Sequence, residues 1–243
     1  MPFYVAPEQQ MKDRAEYARK GIARGRALLA AEYADGVVFV GENPSRSLYK
    51  TSEIYDRIGF AAVGKYNEFE SMRVAGIRLA DVKGYQYARE DVTAKSLANA
   101  YSQALGAIFM GDAKPYEVEL LIAEVGDRGP VDRHDRADGP ATGAASDTGI
   151  ELYHILYDGS LVDEHRFVVI GGDTEPLQRA LEQRWEPQMG RDAAIRACVG
   201  ALDEAGGRQV PHDDLEVSGL DAARPRRRFF RLRDRMLGDA LDG

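Results

Sequence analysis

The residues able to do chemistry in this 243-residue chain are few and scattered. Lys50 stands just before the apolar run Ile54–Val63 and Lys65 just after it. Their ammonium groups bracket a segment otherwise built for packing. Cys198 is the single cysteine, so neither an internal disulfide framework nor a thiolate zinc site can form within one chain. It falls on the apolar face of a helical pattern and reads as core. His134 with Asp135, and His212 with Asp213 and Asp214, lie in loop composition without ligand spacing, so no metal site is assigned. Gly21-Ile22-Ala23-Arg24-Gly25 lacks the Gly-Lys-Ser/Thr ending of a phosphate-binding loop, and no cofactor is implied. The run Ala223–Arg235 is rich in arginine and could attract nucleic acid or an acidic partner. Phe229, Leu232, Met236 and Leu237 recur there at helical spacing, which favours an amphipathic helix on an outer wall. A formal charge of −8 further disfavours a general nucleic-acid binder.

The elements that would position these groups follow from periodicity. Met1–Pro7 reads as a flexible arm. Glu8–Gly21 reads as a mostly polar helix with Gly21 at its C′ position, in need of a partner surface beyond its own core. Arg26–Tyr33 and Val37–Val40 read as two strands around a turn at Ala34-Asp35-Gly36. Ile54–Val63 reads as one strand buried on both faces. Asn67, with Glu70 three residues on, resembles a capping box. Helices are expected over about 68–81, with Phe69, Met72, Gly76 and Leu79 inward, and over about 93–110, with Leu97, Tyr101, Leu105 and Ile108 inward and Gly111 as the stop.

Glu117–Val125 returns to strand. Residues 127–149 are rich in Gly, Pro, Asp and Arg and read as a surface loop. A hairpin is expected next, Ile150–Tyr157 and Leu161–Ile170, turning at Asp158-Gly159. Gly171-Gly172 ends it. Thr174 opens a helix to about Trp185, a second covers about 192–205, and Leu215–Leu220 is a short strand. This alternation of strands with helix pairs suggests sheets between helix layers. A hydrophobic content of 44% supports a sizeable core, and no apolar run is long enough for a membrane span or signal peptide. A soluble cytoplasmic protein is expected.

Several segments together carry a family resemblance: RAEYARKGIARGRALLA (Arg14–Ala30), ENPSRSL (Glu42–Leu48), YDRIGFAAVGKYNEFE (Tyr55–Glu70), LANAYSQALGAIF (Leu97–Phe109), KPYEVEL (Lys114–Leu120) and GGDTEP (Gly171–Pro176). The chain resembles the α-type subunits of actinobacterial proteasomes over nearly its whole length. The resemblance implies an α+β, four-layer αββα sandwich, the fold of N-terminal-nucleophile hydrolases. It implies an arm at 1–7, an α-type domain at 8–222 with the 127–149 insertion, and a basic tail at 223–243.

It also implies a heptameric ring of identical subunits that caps proteolytic β subunits and acts on unfolded, Pup-tagged proteins. Active relatives carry an N-terminal threonine as nucleophile, with its own amine as base. Here the first strand begins near Gly25-Arg26-Ala27 without one, so no catalytic residue is assigned. Glu42 and Lys50 fall near an acid and a lysine of the active relatives but have no nucleophile to assist. The alternatives are an active hydrolase of the same fold and, more weakly, a free-standing binding module.

By the same resemblance, Lys50 receives the C-terminal carboxylate of an AAA ATPase activator tail ending in a hydrophobic residue, Tyr and any residue. Its ammonium is expected at the protein edge with its stem packed inward. Gly21 would let the tail backbone approach. Met1, Pro2, Phe3, Tyr4, Val5, Ala6 and Pro7 would form the gate of the ring pore, although the Tyr-Asp-Arg gate motif of archaeal relatives is absent.

Overall fold

The computed structural model describes residues 6–111, 114–126 and 149–242. Met1–Val5 of the expected gate and 127–148 of the expected loop lie outside these residues.

Two five-stranded antiparallel sheets face each other. The first contains β1 (Leu28–Tyr33), β2 (Gly36–Glu42), β8 (Phe167–Ile170), β9 (Leu215–Asp221) and β10 (Phe229–Leu232), in the order β10-β9-β2-β1-β8. The second contains β3 (Thr51–Tyr55), β4 (Ile58–Gly64), β5 (Val118–Val125), β6 (Ile150–Ile155) and β7 (Leu161–Glu164), in chain order. Three apolar layers separate four structural ones. Leu28, Ala30, Val37 and Phe39 meet Ala61, Leu121 and Leu152 between the sheets. The opposite face of the second sheet packs on α2 (Tyr66–Gln86) and α3 (Ala94–Met110) through Phe60, Ile122, Phe69, Leu97 and Leu105. The outer face of the first packs on α4 (Thr174–Glu182), α5 (Arg191–Gly206) and α6 (Asp234–Asp242) through Leu29, Val38, Val217, Leu181, Cys198 and Leu237. This is the expected αββα sandwich, and it explains the continuous burial of β1 and β4: both faces of each sheet are covered.

The remaining helix, α1 (Pro7–Ala23), closes one end of the sandwich. Ala18 and Ile22 join the core between the sheets, with Met11 and Ala15 partly buried against it. Arg14 Nε donates to the Phe109 carbonyl at 2.8 Å. Part of its partner surface therefore lies on its own chain, while most of its residues stay exposed. Its exposed face keeps Tyr17, 48% accessible.

Several local expectations are corrected. Pro7 is the first helical residue, where its fixed φ and missing N–H cost nothing, so the arm ends at Ala6. Gly21 lies inside α1 instead of beyond it. Ile54–Val63 is not one strand: Tyr55 pairs with Ile58, and Asp56-Arg57 forms a two-residue hairpin turn. Lys65 occupies the N-cap of α2 without a side-chain cap, which puts Asn67 inside the helix; Glu70 pairs with Arg73. Ala80 is buried on α2 and Leu79 is 42% exposed. Leu161–Ile170 breaks at Arg166, whose φ is 72°, and β8 crosses to the first sheet to pair with β1. Asp173, not Thr174, is the N-cap of α4. Phe229–Leu232 is an edge strand on β9 instead of the start of a helix, and the helix begins at Asp234.

Candidate functional site: the Lys50 end of the sandwich

The end that α1 closes is where β1 starts, β2, β4 and β8 finish, and β3 begins. At the end of β8, Gly171 and Gly172 have φ of 68° and 63°. A Cβ on Gly171 would stand 2.9 Å from Val63 Cγ2, so the chain can turn this tightly over β4 only with glycine. Gly25 leaves α1 with only an amide of Gly64 and its own helix end nearby. Arg26 follows, then β1.

Lys50 sits at this end, partly buried. Its Nζ donates to the Arg26 carbonyl at 2.9 Å and to the Glu42 carbonyl at 3.1 Å. The ammonium lies at the end of the sheets and is turned onto two backbone acceptors, with one of its three hydrogens left over. Burial pulls its pKa from the ordinary lysine value down to about 8; Glu216 opposes the shift, Arg26 reinforces it, and Glu42 opposes it.

A buried carboxylate fixes the backbone here. Glu216, on β9, accepts from Thr51 Oγ1 at 2.6 Å, Asn43 Nδ2 at 2.6 Å, the Lys50 and Thr51 amides at 3.0 Å each, and Arg231 Nη1 at 2.9 Å. Burial works against its charge, but these donors, Thr51 and Asn43 foremost, outweigh it and hold its pKa below the usual carboxylate value. Arg231 also donates to the Thr51 carbonyl at 2.7 Å and lies over the Tyr49 ring at 4.1 Å. Nothing in the sequence pattern singled out Glu216 or Arg231; they act across more than 160 residues of chain.

Glu42 is the site's second carboxylate. Arg208 Nη2 reaches both its oxygens, at 2.7 and 2.8 Å, and Arg26 Nε reaches Oε1 at 3.1 Å. Gly21 lies apart: a Cβ there would fall 2.6 Å from Glu117 Cγ, so Gly21 serves the packing of α1 on the segment before β5. Lys65 lies 3.9 Å from buried Glu68, which Lys114 also engages. Among the gate residues, Ala6 is extended and exposed at the N-cap of α1, and Pro7 follows it.

The chemistry at the head of β1 is equally definite. Arg26-Ala27-Leu28 offers no hydroxyl or thiol, and Arg26 is joined to α1 by an unbroken backbone, so it has no free amine. Thr51, the nearest threonine to Lys50, is 1% exposed and bonded to Glu216 and Ser218. His212 and Asp213 form a short turn in which Asp213 pairs with Arg46 at 3.3 Å. Among the described residues no group of three or more metal-ligating side chains converges, and no helix is long and apolar enough to cross a membrane. His134 and Asp135 lie outside the described residues.

This architecture is an αββα sandwich with a helix across one end and, among the described residues, no hydroxyl or thiol at the head of β1. Comparison with known proteins names the family. The proteasome subunit family model matches residues 22–131 and 141–218, and the chain belongs to that family. It is 52% identical over 250 residues to "Proteasome subunit alpha" of Kineococcus radiotolerans, covering 100% of this chain and 98% of that one. It is 52% identical over 246 residues to the Streptomyces griseus protein of the same name, covering 99% and 84%. A third, from Thermomonospora curvata, is 52% identical over 233 residues, covering 96% and 94%. The relatives are α-type subunits, which agrees with a chain that is not an enzyme by itself.

Proposed function

We propose that this chain forms the outer, heptameric α ring of a cytoplasmic proteasome core. It closes the entry pore with its N-terminal arm and docks an AAA ATPase activator at Lys50, while the β ring cleaves unfolded, Pup-tagged substrates. The observation that carries the reading is the Lys50 ammonium at the α1 end of the sandwich, partly desolvated and with one donor to spare. A carboxylate arriving there meets a cation where a charge-assisted hydrogen bond is worth about 1.5–3 kcal/mol. The same end leaves room for close backbone approach at Gly25, where a Cβ would meet only Ile22 O and Gly64 N, whereas Gly21 packs behind Glu117. Several tails acting together would multiply the effect of each contact.

The test is stimulation of peptide hydrolysis by the activator, or by a synthetic tail peptide, on core particles assembled with the β subunit. Lys50→Ala should assemble and lose stimulation. A Lys50→Ala core that responds as wild type does would end the docking reading. The alternative, an active hydrolase of this fold, requires self-cleavage at the head of β1, which would remove about 25 residues and expose a nucleophile. An intact mass for the purified chain counts against it.

A further inference from the structure

The surroundings of Lys50 hold one cation more than their local charges need. Glu216 is matched by Arg231. Glu42 is satisfied on both oxygens by Arg208. Arg26 makes a longer, single contact to one of the same oxygens, and its side chain is 53% exposed while that of Glu42 is 14% exposed. The carbonyl of Arg26 is itself a hydrogen-bond partner of the Lys50 ammonium, so the two cations belong to one small neighbourhood.

From this arrangement we infer that Arg26 is a second carboxylate-recognition residue of the docking site, parked on Glu42 until a C-terminal carboxylate arrives. The inference rests on the docking reading of Lys50. Arg208 lets the exchange happen without leaving Glu42 unpaired: when Arg26 turns away, both Glu42 oxygens keep a donor. The arriving carboxylate then takes one hydrogen bond from the remaining Lys50 N–H and another from the Arg26 guanidinium, whose planar fork suits a carboxylate better than an ammonium does. Glu42 becomes a competitor for Arg26, so it sets how tightly the site holds its ligand. A free carboxylate is thereby favoured over any neutral chain end.

The experiment measures binding of a fluorescent peptide ending in Leu-Tyr-Ala, as free acid and as amide, to α–β core particles. Each variant is first imaged to show that it assembles, and Arg26→Gln repeats Arg26→Ala with most of the stem kept. Arg26→Ala and Arg26→Gln should raise Kd for the acid about fivefold, as loss of a half-exposed charged contact implies, and leave the amide unchanged. Glu42→Gln should act in the opposite direction and tighten the acid, because it releases Arg26; a purely structural role for either residue would give no such reversal. If Lys50→Ala loses the acid while Arg26→Ala and Arg26→Gln bind it as wild type does, the Arg26 inference is wrong and the docking reading stands. If Arg26→Ala weakens acid and amide alike, or Glu42→Gln weakens the acid, the competition is also refuted. If Lys50→Ala binds the acid as tightly as wild type, the docking reading itself fails and Arg26 falls with it.

Discussion

Replacing Glu216 with Ala removes the carboxylate on which the Lys50 segment is fixed. The side chain is 4% exposed and its ion partner Arg231 is 16% exposed. Five donors lose this acceptor: the Asn43 amide group, which keeps the Leu48 carbonyl, the Thr51 hydroxyl, the Lys50 and Thr51 backbone N–H groups, and Arg231. Arg231 keeps the Thr51 carbonyl, and water can reach part of its guanidinium, which moderates the cost. The backbone donors cannot turn away, and each one left buried costs about 1–3 kcal/mol. Breaking a buried ion pair from one side costs about 3–5 kcal/mol, so a loss of at least about 4 kcal/mol is the working figure. That is a large part of the 5–15 kcal/mol typical of a domain.

The assay is urea unfolding of the purified chain at fixed protein concentration, because assembly would add its own stabilisation. Asp213→Ala is the control. Its pair with Arg46 is 82–83% exposed, and it should change stability by under about 0.5 kcal/mol. The pH dependence gives a second readout. A depressed carboxylate contributes stability above its ordinary pKa and loses it as pH falls through the folded one. The acid limb below about pH 4.5 should therefore be steeper in wild type than in Glu216→Gln. A Glu216→Ala chain within about 1 kcal/mol of wild type would refute the idea that this carboxylate organises the site.

Other outcomes are equally specific. Activator-tail binding should weaken as pH rises through about 8, where Lys50 loses its proton, and Lys50→Arg should remove that dependence. Because the folded pKa lies below the unfolded one, the same group makes the chain gain stability as pH rises from about 8 toward the ordinary lysine value. His154 has the opposite sign. Burial disfavours its charge, but Glu119 and Glu164, each 3.6 Å away, outweigh it and raise the pKa to about 9. Its contribution is full below the ordinary histidine value near 6.5 and fades as pH rises through about 9, and His154→Gln should flatten stability across that window. Deleting residues 1–5 leaves α1 and its Pro7 start intact and should raise peptide hydrolysis by the assembled core; unchanged rates for peptides and for an unfolded protein would count against the gate. Deleting 1–21 strips Ala18 from the inter-sheet core and should lower the stability of the single chain as well as its assembly. Lys65→Ala should affect docking less than Lys50→Ala.

How much of this was written in the sequence depends on the range of the interaction. The β1–β2 hairpin, the α3 boundaries from Thr93 to Gly111, and the glycine break at Gly171-Gly172 follow from local chemistry, and each is found. The β3–β4 hairpin was hidden because its turn, Asp56-Arg57, carries neither Gly nor Asn and interrupts an apolar run for only two residues. Phe229, Leu232 and Met236 satisfy a helical spacing by coincidence. A four-residue strand is too short to show its alternation, and pairing with β9 decides the matter. The position of Lys50 was legible only through the family segment. The Glu216–Arg231 pair and the Glu42–Arg208 contact are products of tertiary folding, joining β9 to β10 and β2 to the loop after α5. The attachment of α1 to its own chain is hard to see in the sequence because its buried stripe is narrow: Ala18 and Ile22, with Met11 and Ala15 partly covered, in an otherwise polar helix.

The most direct measurement is particle imaging of this chain co-expressed with a proteasome β subunit from the same source, with the mass of the α chain taken from the same preparation. Stacked rings are expected in which this chain, its N-terminal helix intact, occupies the two outer sevenfold layers. A monomeric chain, rings with this subunit in the inner proteolytic layer, or a chain cut at the head of β1 would contradict that expectation.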